Sequence, residues 1–195
     1  MKKEDISGII VYIGIIVLAV IFGLTVLQAH SSQSTLSGFS YVLYIIGSVL
    51  TGAILNAILF ELAHVLGAKI GKYDIISVNI LGLCFYKLEG KRKVKFASFD
   101  GLTGETRIVP KKDMVDKANP YPYLFFGSVF FAVEAIIVMV LFSVLTVDKS
   151  NKLLGDIAYF LLTVGAIGLV ILIYNIIPMR VDSMTDGYRL TMVSN

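Results

Sequence analysis

The residues best placed to do chemistry are Glu61 and His64, within the run Phe60-Glu61-Leu62-Ala63-His64. The run differs at one position from H-E-x-x-H. In that motif histidines at i and i+4 share a helix face and bind zinc, and the glutamate beside the first histidine deprotonates a metal-bound water. A third protein ligand comes from elsewhere, and the fourth position stays open for water or substrate. Here His64 holds the second histidine position and Glu61 the general-base position. Phe60 stands at the first histidine position, and a phenyl ring cannot ligate a metal. The other histidine of the chain, His30, lies far away in sequence.

Two further readings of the pair stay open. Glu61 and His64 also have the Glu-x-x-His spacing of helical carboxylate metal sites. With a second carboxylate, Asp186, they could form a two-carboxylate, one-histidine centre, but Glu61 would then be a ligand and could not easily serve as base. The plainer reading is a buried polar pair hydrogen-bonded to a neighbouring helix.

The elements that must position these groups are hydrophobic. Of 195 residues 56% are apolar and only 16% charged, against about a quarter charged in ordinary soluble domains. The excess lies in four blocks of roughly 20 or more residues, enough to cross a hydrocarbon core as helices. They run over about Ile9–Leu27, Tyr41–Leu66, Tyr123–Val147 and Ile157–Ile177. The first follows Lys2 and Lys3 like a signal sequence, but it is longer than a cleaved apolar core and reads as a retained anchor. The fold class expected is an all-α polytopic membrane protein of four spans. Cys84 is the single cysteine, so no internal disulfide can form. The small net charge of +3 forms no basic stripe, and no nucleic-acid partner is expected.

Lysine and arginine orient the spans. Lys2 and Lys3 precede the first, eleven basic residues lie between Lys69 and Lys117, and Arg180 and Arg189 follow the last. Between spans three and four there are only Lys149 and Lys152. Placing both termini and the long connection in the cytoplasm puts fifteen of seventeen basic residues inside. Within that connection, Tyr73–Phe85, Lys91–Phe99 and Thr106–Val109 read as two or three short strands, with a turn at Glu89-Gly90 and Gly101 and Gly104 punctuating the gap. Val78, Ile80, Leu81, Leu83, Phe85 and Tyr86 are too apolar for an exposed ribbon and should lie against the membrane or the helix bundle. Cys84 reads as inert packing there.

Ionisable groups inside spans face a bundle interior, a cavity or a partner. They are Glu61 and His64 on span two and Glu134 on span three, with Asn56 and Asn175 as uncharged companions. Asp186 follows Pro178, which should end span four. Spans two and four run in the same direction, so His64 and Asp186 fall at a similar depth. Asp186 also fits a plain turn or helix cap, because Thr185-Asp186-Gly187 is good turn chemistry. Glu134 reads as structural, partnered by an amide or facing a water-filled groove. Tyr121–Phe131 reads as an interfacial aromatic belt and lipid-facing surface.

From Asn56 to Gly67 the chain resembles the N-x-x-x-H-E-x-x-H helix of the site-2 protease family of intramembrane zinc metalloproteases, with Phe60 for the first histidine. Asn175-Ile176-Ile177-Pro178 and Thr185-Asp186-Gly187-Tyr188-Arg189-Leu190 resemble the family's asparagine-proline segment and its aspartate-glycine motif. Lys91–Pro110 and Pro120–Gly127 are similar to the β region and third-span entry of small Gram-positive bacterial members. The resemblance covers about residue 50 to the end. It implies zinc held by His64 and Asp186, Glu61 as base, Asn56 and Asn175 steadying substrate or site, and a bacterial plasma-membrane location. The expected organisation is an anchor with external loop over 1–38 and a protease-like core over 39–195, with a cytoplasmic β-containing insertion over 72–118. The function implied is a homologue with weak or absent proteolysis, whose groove holds a transmembrane or peptide segment among membrane lipid. The alternatives are a protease with an unusual ligand set, and a non-enzymatic peptide-binding, immunity or assembly protein.

Overall fold

A computed structural model describes residues 3–98, 103–148, 150–179 and 184–194, with side chains from Gly8 onward. Phe99, Gly101, Lys2, Lys149 and Arg180, used above for strand ends and orientation, lie outside the described residues.

Four long helices dominate: α1 Lys3–Ser31, α2 Gly38–Ile70, α3 Tyr121–Leu145 and α4 Lys152–Ile176. Each contains a stretch long and apolar enough to cross a membrane. At 33 residues, α2 rises roughly 50 Å at about 1.5 Å per residue. That is well beyond a hydrocarbon core about 30 Å thick, so one end of α2 belongs to a different layer. Near that end Gly71 caps the helix, its N–H bonding to Gly67 O at 2.8 Å. Lys72 then adopts a positive φ of 63° that turns the chain back. Pro120 and Pro122 open α3, where a missing N–H costs nothing. Asn151 caps α4, accepting from Leu154 N at 3.2 Å, and α4 ends at Ile176, ahead of Pro178 as expected.

Helices α2, α3 and α4 pack on one another, and α1 lies mainly along α4. Small residues let the backbones approach, as in membrane bundles generally. A Cβ on Gly67 would collide with the Pro122 carbonyl oxygen, so α2 crosses the start of α3 at glycine contact. The outward faces are apolar, with Ile10, Leu18, Ile46, Ile136 and Val144 among many exposed side chains. The aromatic segment at the start of α3 departs from the expected lipid-facing belt. Tyr123, Leu124 and Phe131 are buried, because they pack against His64, Ala68 and Phe60 of α2; Tyr121, Phe125 and Phe130 remain outside.

Between α2 and α3 the chain forms four antiparallel strands: β1 Tyr73–Ile80, β2 Leu83–Leu88, β3 Lys91–Phe96 and β4 Gly104–Pro110, in the order β3-β2-β1-β4. The expected single strand over Tyr73–Phe85 is two, broken by a tight turn. Leu81 takes φ 50° and Gly82 φ 92°, a left-handed pair that an apolar leucine concealed. Glu89-Gly90 forms the expected turn, at φ 52° and 79°. Ile75 and Ile108 are a register pair and pack onto Ala68, Tyr123 and Leu124, so this face of the sheet meets the helices. Thr106 lies two residues from Ile108 on the same face, and its hydroxyl reaches Glu61 of α2. The sheet therefore climbs beside α2 from Gly71 to the level of Glu61. Leu83 and Phe85 share that face but stay exposed, whereas Cys84 is buried.

Candidate functional site

One polar cavity lies where α2, the end of α4, the short helix α5 (Asp186–Val193) and β4 meet. Phe60, Glu61, His64, Tyr123, Asn175 and Asp186 line it, and so do Thr103–Thr106, Thr185 and Arg189. It encloses about 40 Å³ of water-accessible space, enough for a few waters at roughly 10–15 Å³ each.

His64 and Asp186 are 122 residues apart and meet directly, Nε2 to Oδ2 at 3.0 Å. Both are buried. His64 Nδ1 faces the Phe60 carbonyl at 3.0 Å. A carbonyl can only accept, so Nδ1 carries a proton, and the Nε2–Oδ2 contact is a hydrogen bond through a second proton shared between the imidazole and the Asp186 carboxyl. Metal-binding histidines are commonly fixed in this way, with one ring nitrogen held by a backbone carbonyl. Asp186 is delivered by α5, but it is not the helix cap. Thr185 is, accepting from Tyr188 N at 3.3 Å while donating to Ile177 O at 2.7 Å. The turn chemistry of Thr185-Asp186-Gly187 thus resides in Thr185, leaving the Asp186 carboxylate free to reach His64.

Glu61 faces the sheet. It accepts from Thr106 Oγ1 at 2.7 Å and Thr103 Oγ1 at 3.2 Å, using both carboxylate oxygens. Tyr123 braces this arrangement by donating to Thr106 O at 2.7 Å. It also stands edge-on to His64, with ring centroids 4.9 Å apart. The ring of Phe60 fills the first-histidine position. It packs edge-on to His64 at 4.4 Å and stacks with Phe131 at 5.6 Å between centroids. Gly127 makes room for it, since a Cβ there would lie 2.6 Å from Phe60 Cε2.

No family model, curated protein or solved structure matches this chain. The site must be read from its own donors. Two ligands on a tetrahedral zinc, each bound at about 2.0–2.2 Å, stand roughly 3.3–3.6 Å apart. His64 and Asp186 are closer and bond to each other. Among the described residues no group of three or more His, Cys, Asp or Glu side chains is arranged to hold a metal ion. As the side chains stand, two donors face each other, the Phe60 ring packs beside them, and both Glu61 oxygens are engaged by hydroxyls. Glu61, the second carboxylate of the two-carboxylate, one-histidine reading, is turned to the Thr103 and Thr106 hydroxyls.

The asparagines separate. Asn175 lines the cavity, its Nδ2 donating to Ile171 O at 2.9 Å. Asn56 is fully buried and ties α2 to α4 instead, donating to Gly52 O at 2.8 Å and Val164 O at 2.9 Å. Sequence reasoning missed Thr103, Thr106, Tyr123, Thr185 and Arg189. Threonine hydroxyls on a strand carry no spacing signal, and only the β4 register, which brings Thr106 opposite Val78, reveals them.

Proposed function

We propose that this chain is a site-2-protease-like integral membrane protein in which the zinc-binding arrangement is replaced by a closed polar lock, and whose groove holds an extended peptide or membrane segment without cutting it. The reading rests on one observation: His64 and Asp186, the two retained ligand positions, hydrogen-bond directly at 3.0 Å beside Phe60 in the place of the lost ligand. In an intact enzyme of this kind zinc supplies the activated water. In this chain His64 and Asp186 hold one another, and Thr103 and Thr106 each hold one Glu61 oxygen by a hydrogen bond. Phe60 and Phe131 exclude solvent from one side.

Binding without cleavage needs a surface for an extended segment. β4 is an edge strand, and its start, Gly104–Thr106, lines the cavity. Edge backbone of this kind pairs readily with a strand from another chain. Charge supports the orientation with both termini in the cytoplasm: basic residues between Lys69 and Lys117 and Arg189 fall at the cavity end, whereas His30 and Asp156 mark the opposite end. A bacterial plasma membrane suits this topology.

The test is a membrane-embedded reporter peptide carrying photo-crosslinkers, presented to the full chain in nanodiscs. Crosslinks to residues 104–106 with no cleavage are expected. Cleavage abolished by Glu61→Gln would overturn the lock in favour of a protease with an unusual ligand set. Absence of any crosslink near β4 would remove the binding half of the reading.

A further inference from the structure

Away from the cavity, two buried oxygens without a hydrogen-bond partner border the same glycine. Asn56 is fully buried, and its Oδ1 has no hydrogen-bond partner. Glu134 Oε2, on α3, is likewise buried without a partner. Both aim at the same glycine of α4: a Cβ built on Gly168 would lie 2.8 Å from Glu134 Oε2 and 2.9 Å from Asn56 Oδ1.

The orientation of Asn56 is not arbitrary. Its nitrogen donates to two carbonyls, Gly52 O at 2.8 Å and Val164 O at 2.9 Å. Flipping the amide would set an oxygen against both. Both amide hydrogens are therefore committed, and only the carbonyl end can face Glu134. Two acceptors brought together out of water repel, and an unpaired buried carboxylate is costlier still. Native structures satisfy such groups, and an orphaned pair calls for a missing donor. The nearest atoms around Gly168 of α4 come from Asn56 of α2 and from Glu134 and Phe131 of α3, and none of these has a donor to spare. None of the described ion pairs includes Glu134.

We infer that Glu134 and Asn56 form a binding site for one unit of positive charge, either a proton carried on the Glu134 carboxyl and shared with Asn56 Oδ1, or a bare alkali cation held between the two oxygens. One bound charge satisfies both acceptors and neutralises the carboxylate at the centre of the α2–α3–α4 contact. Its loss leaves a carboxylate beside a carbonyl dipole and drives the partly buried Glu134 side chain away from Asn56. Phe131, which stacks on Phe60, lies one turn from Glu134, so the packing beside His64 responds to occupancy. The site does not depend on the protease-like reading.

The test compares thermal unfolding of the full wild-type chain and Glu134→Gln in nanodiscs, from mildly acidic to mildly alkaline buffer, with sodium, potassium or choline chloride. The glutamine amide supplies a permanent donor to Asn56 Oδ1, so this variant should fold and lose the dependence. If the charge is a proton, wild-type stability relative to Glu134→Gln falls as pH rises, equally in all three salts. If it is an alkali cation, sodium or potassium restores that stability at alkaline pH and choline does not. Identical pH and salt profiles for the two proteins would overturn the proposal. A second readout covers a variant that fails to fold: wild-type infrared spectra should contain a protonated-carboxyl band, bleached on alkaline titration in choline, or a carboxylate band shifted by sodium or potassium. Neither change in any salt is the opposing result.

Discussion

The packing of Phe60 against Gly127 makes a quantitative prediction about how the space beside His64 is filled. Phe60→Ala removes a ring that is only 6% exposed and contacts Phe131 and Ile171. In a soluble core a Phe→Ala change costs about 3–5 kcal/mol. In a micelle or bilayer the unfolded ring is solvated by lipid, so the transfer part shrinks and the cavity part remains. A void on the order of 100 Å³, at about 24 cal/mol per Å³, gives roughly 2 kcal/mol. Gly127→Ala alone sets a methyl 2.6 Å from Phe60 Cε2 and 3.4 Å from His64 Cε1, an overpacking cost of about 1–3 kcal/mol. In the double variant the new methyl enters the void left by the ring, so the clash disappears and the cavity shrinks. The double variant should therefore be less destabilised than the sum of the singles, by about 1–3 kcal/mol of coupling. Reversible unfolding in mixed detergent–SDS micelles, followed by helical ellipticity, measures all four proteins. Additivity within about 0.5 kcal/mol would show that Phe60 does not occupy the space opposite Gly127, and the closed-site argument would lose its footing.

Thr106→Val should destabilise the protein by about 1–3 kcal/mol, because Glu61 Oε2 would remain buried without its donor, and Thr106→Val combined with Glu61→Leu should recover most of that loss in the same unfolding assay. At the opposite end, Asp156 accepts from Ser34 and Thr35 at 2.7 and 2.9 Å and meets His30 Nε2 at 2.7 Å. Asp156→Ala should free the end of α1 at a cost of roughly 2–4 kcal/mol for the charged hydrogen bonds lost, and spin labels on α1 and α4 should then report a broadened distance. An unchanged distance would show that lipid-facing packing alone holds α1. Gly67→Ala should separate α2 from α3 at the Pro122 carbonyl and cost about 1–3 kcal/mol; neutral behaviour in thermal unfolding would contradict the glycine contact.

The four helices were legible because apolar runs of this length have few other physical solutions, although α1 and α4 begin at Lys3 and Lys152, five to six residues before the apolar runs. The meeting of His64 with Asp186 was legible for a related reason: polar groups on apolar helices must find interior partners, and spans running in parallel bring them to one level. The β element was legible in kind but not in count. Leu81 gave no hint of its left-handed conformation, since such positions normally attract glycine or asparagine. The burial of Tyr123 and Phe131 was hidden because an aromatic cluster at a span entry looks the same whether it meets lipid or covers a site. Asn56 was expected to steady substrate or site from the resemblance, yet its amide ties α2 to α4 through Val164 O, a cross-helix bond that no spacing rule encodes.

The central proposal is that Phe60 and the His64–Asp186 pair stand where a relative with an intact motif would hold a metal. It is tested most directly by counting zinc atoms per chain in wild-type protein and in Phe60→His, each equilibrated with zinc and freed of loosely bound metal. The account predicts far less than one zinc per wild-type chain and close to one in Phe60→His, because the new imidazole completes the ligand set opposite Gly127. One zinc per wild-type chain, lost on His64→Ala or Asp186→Ala, would contradict it.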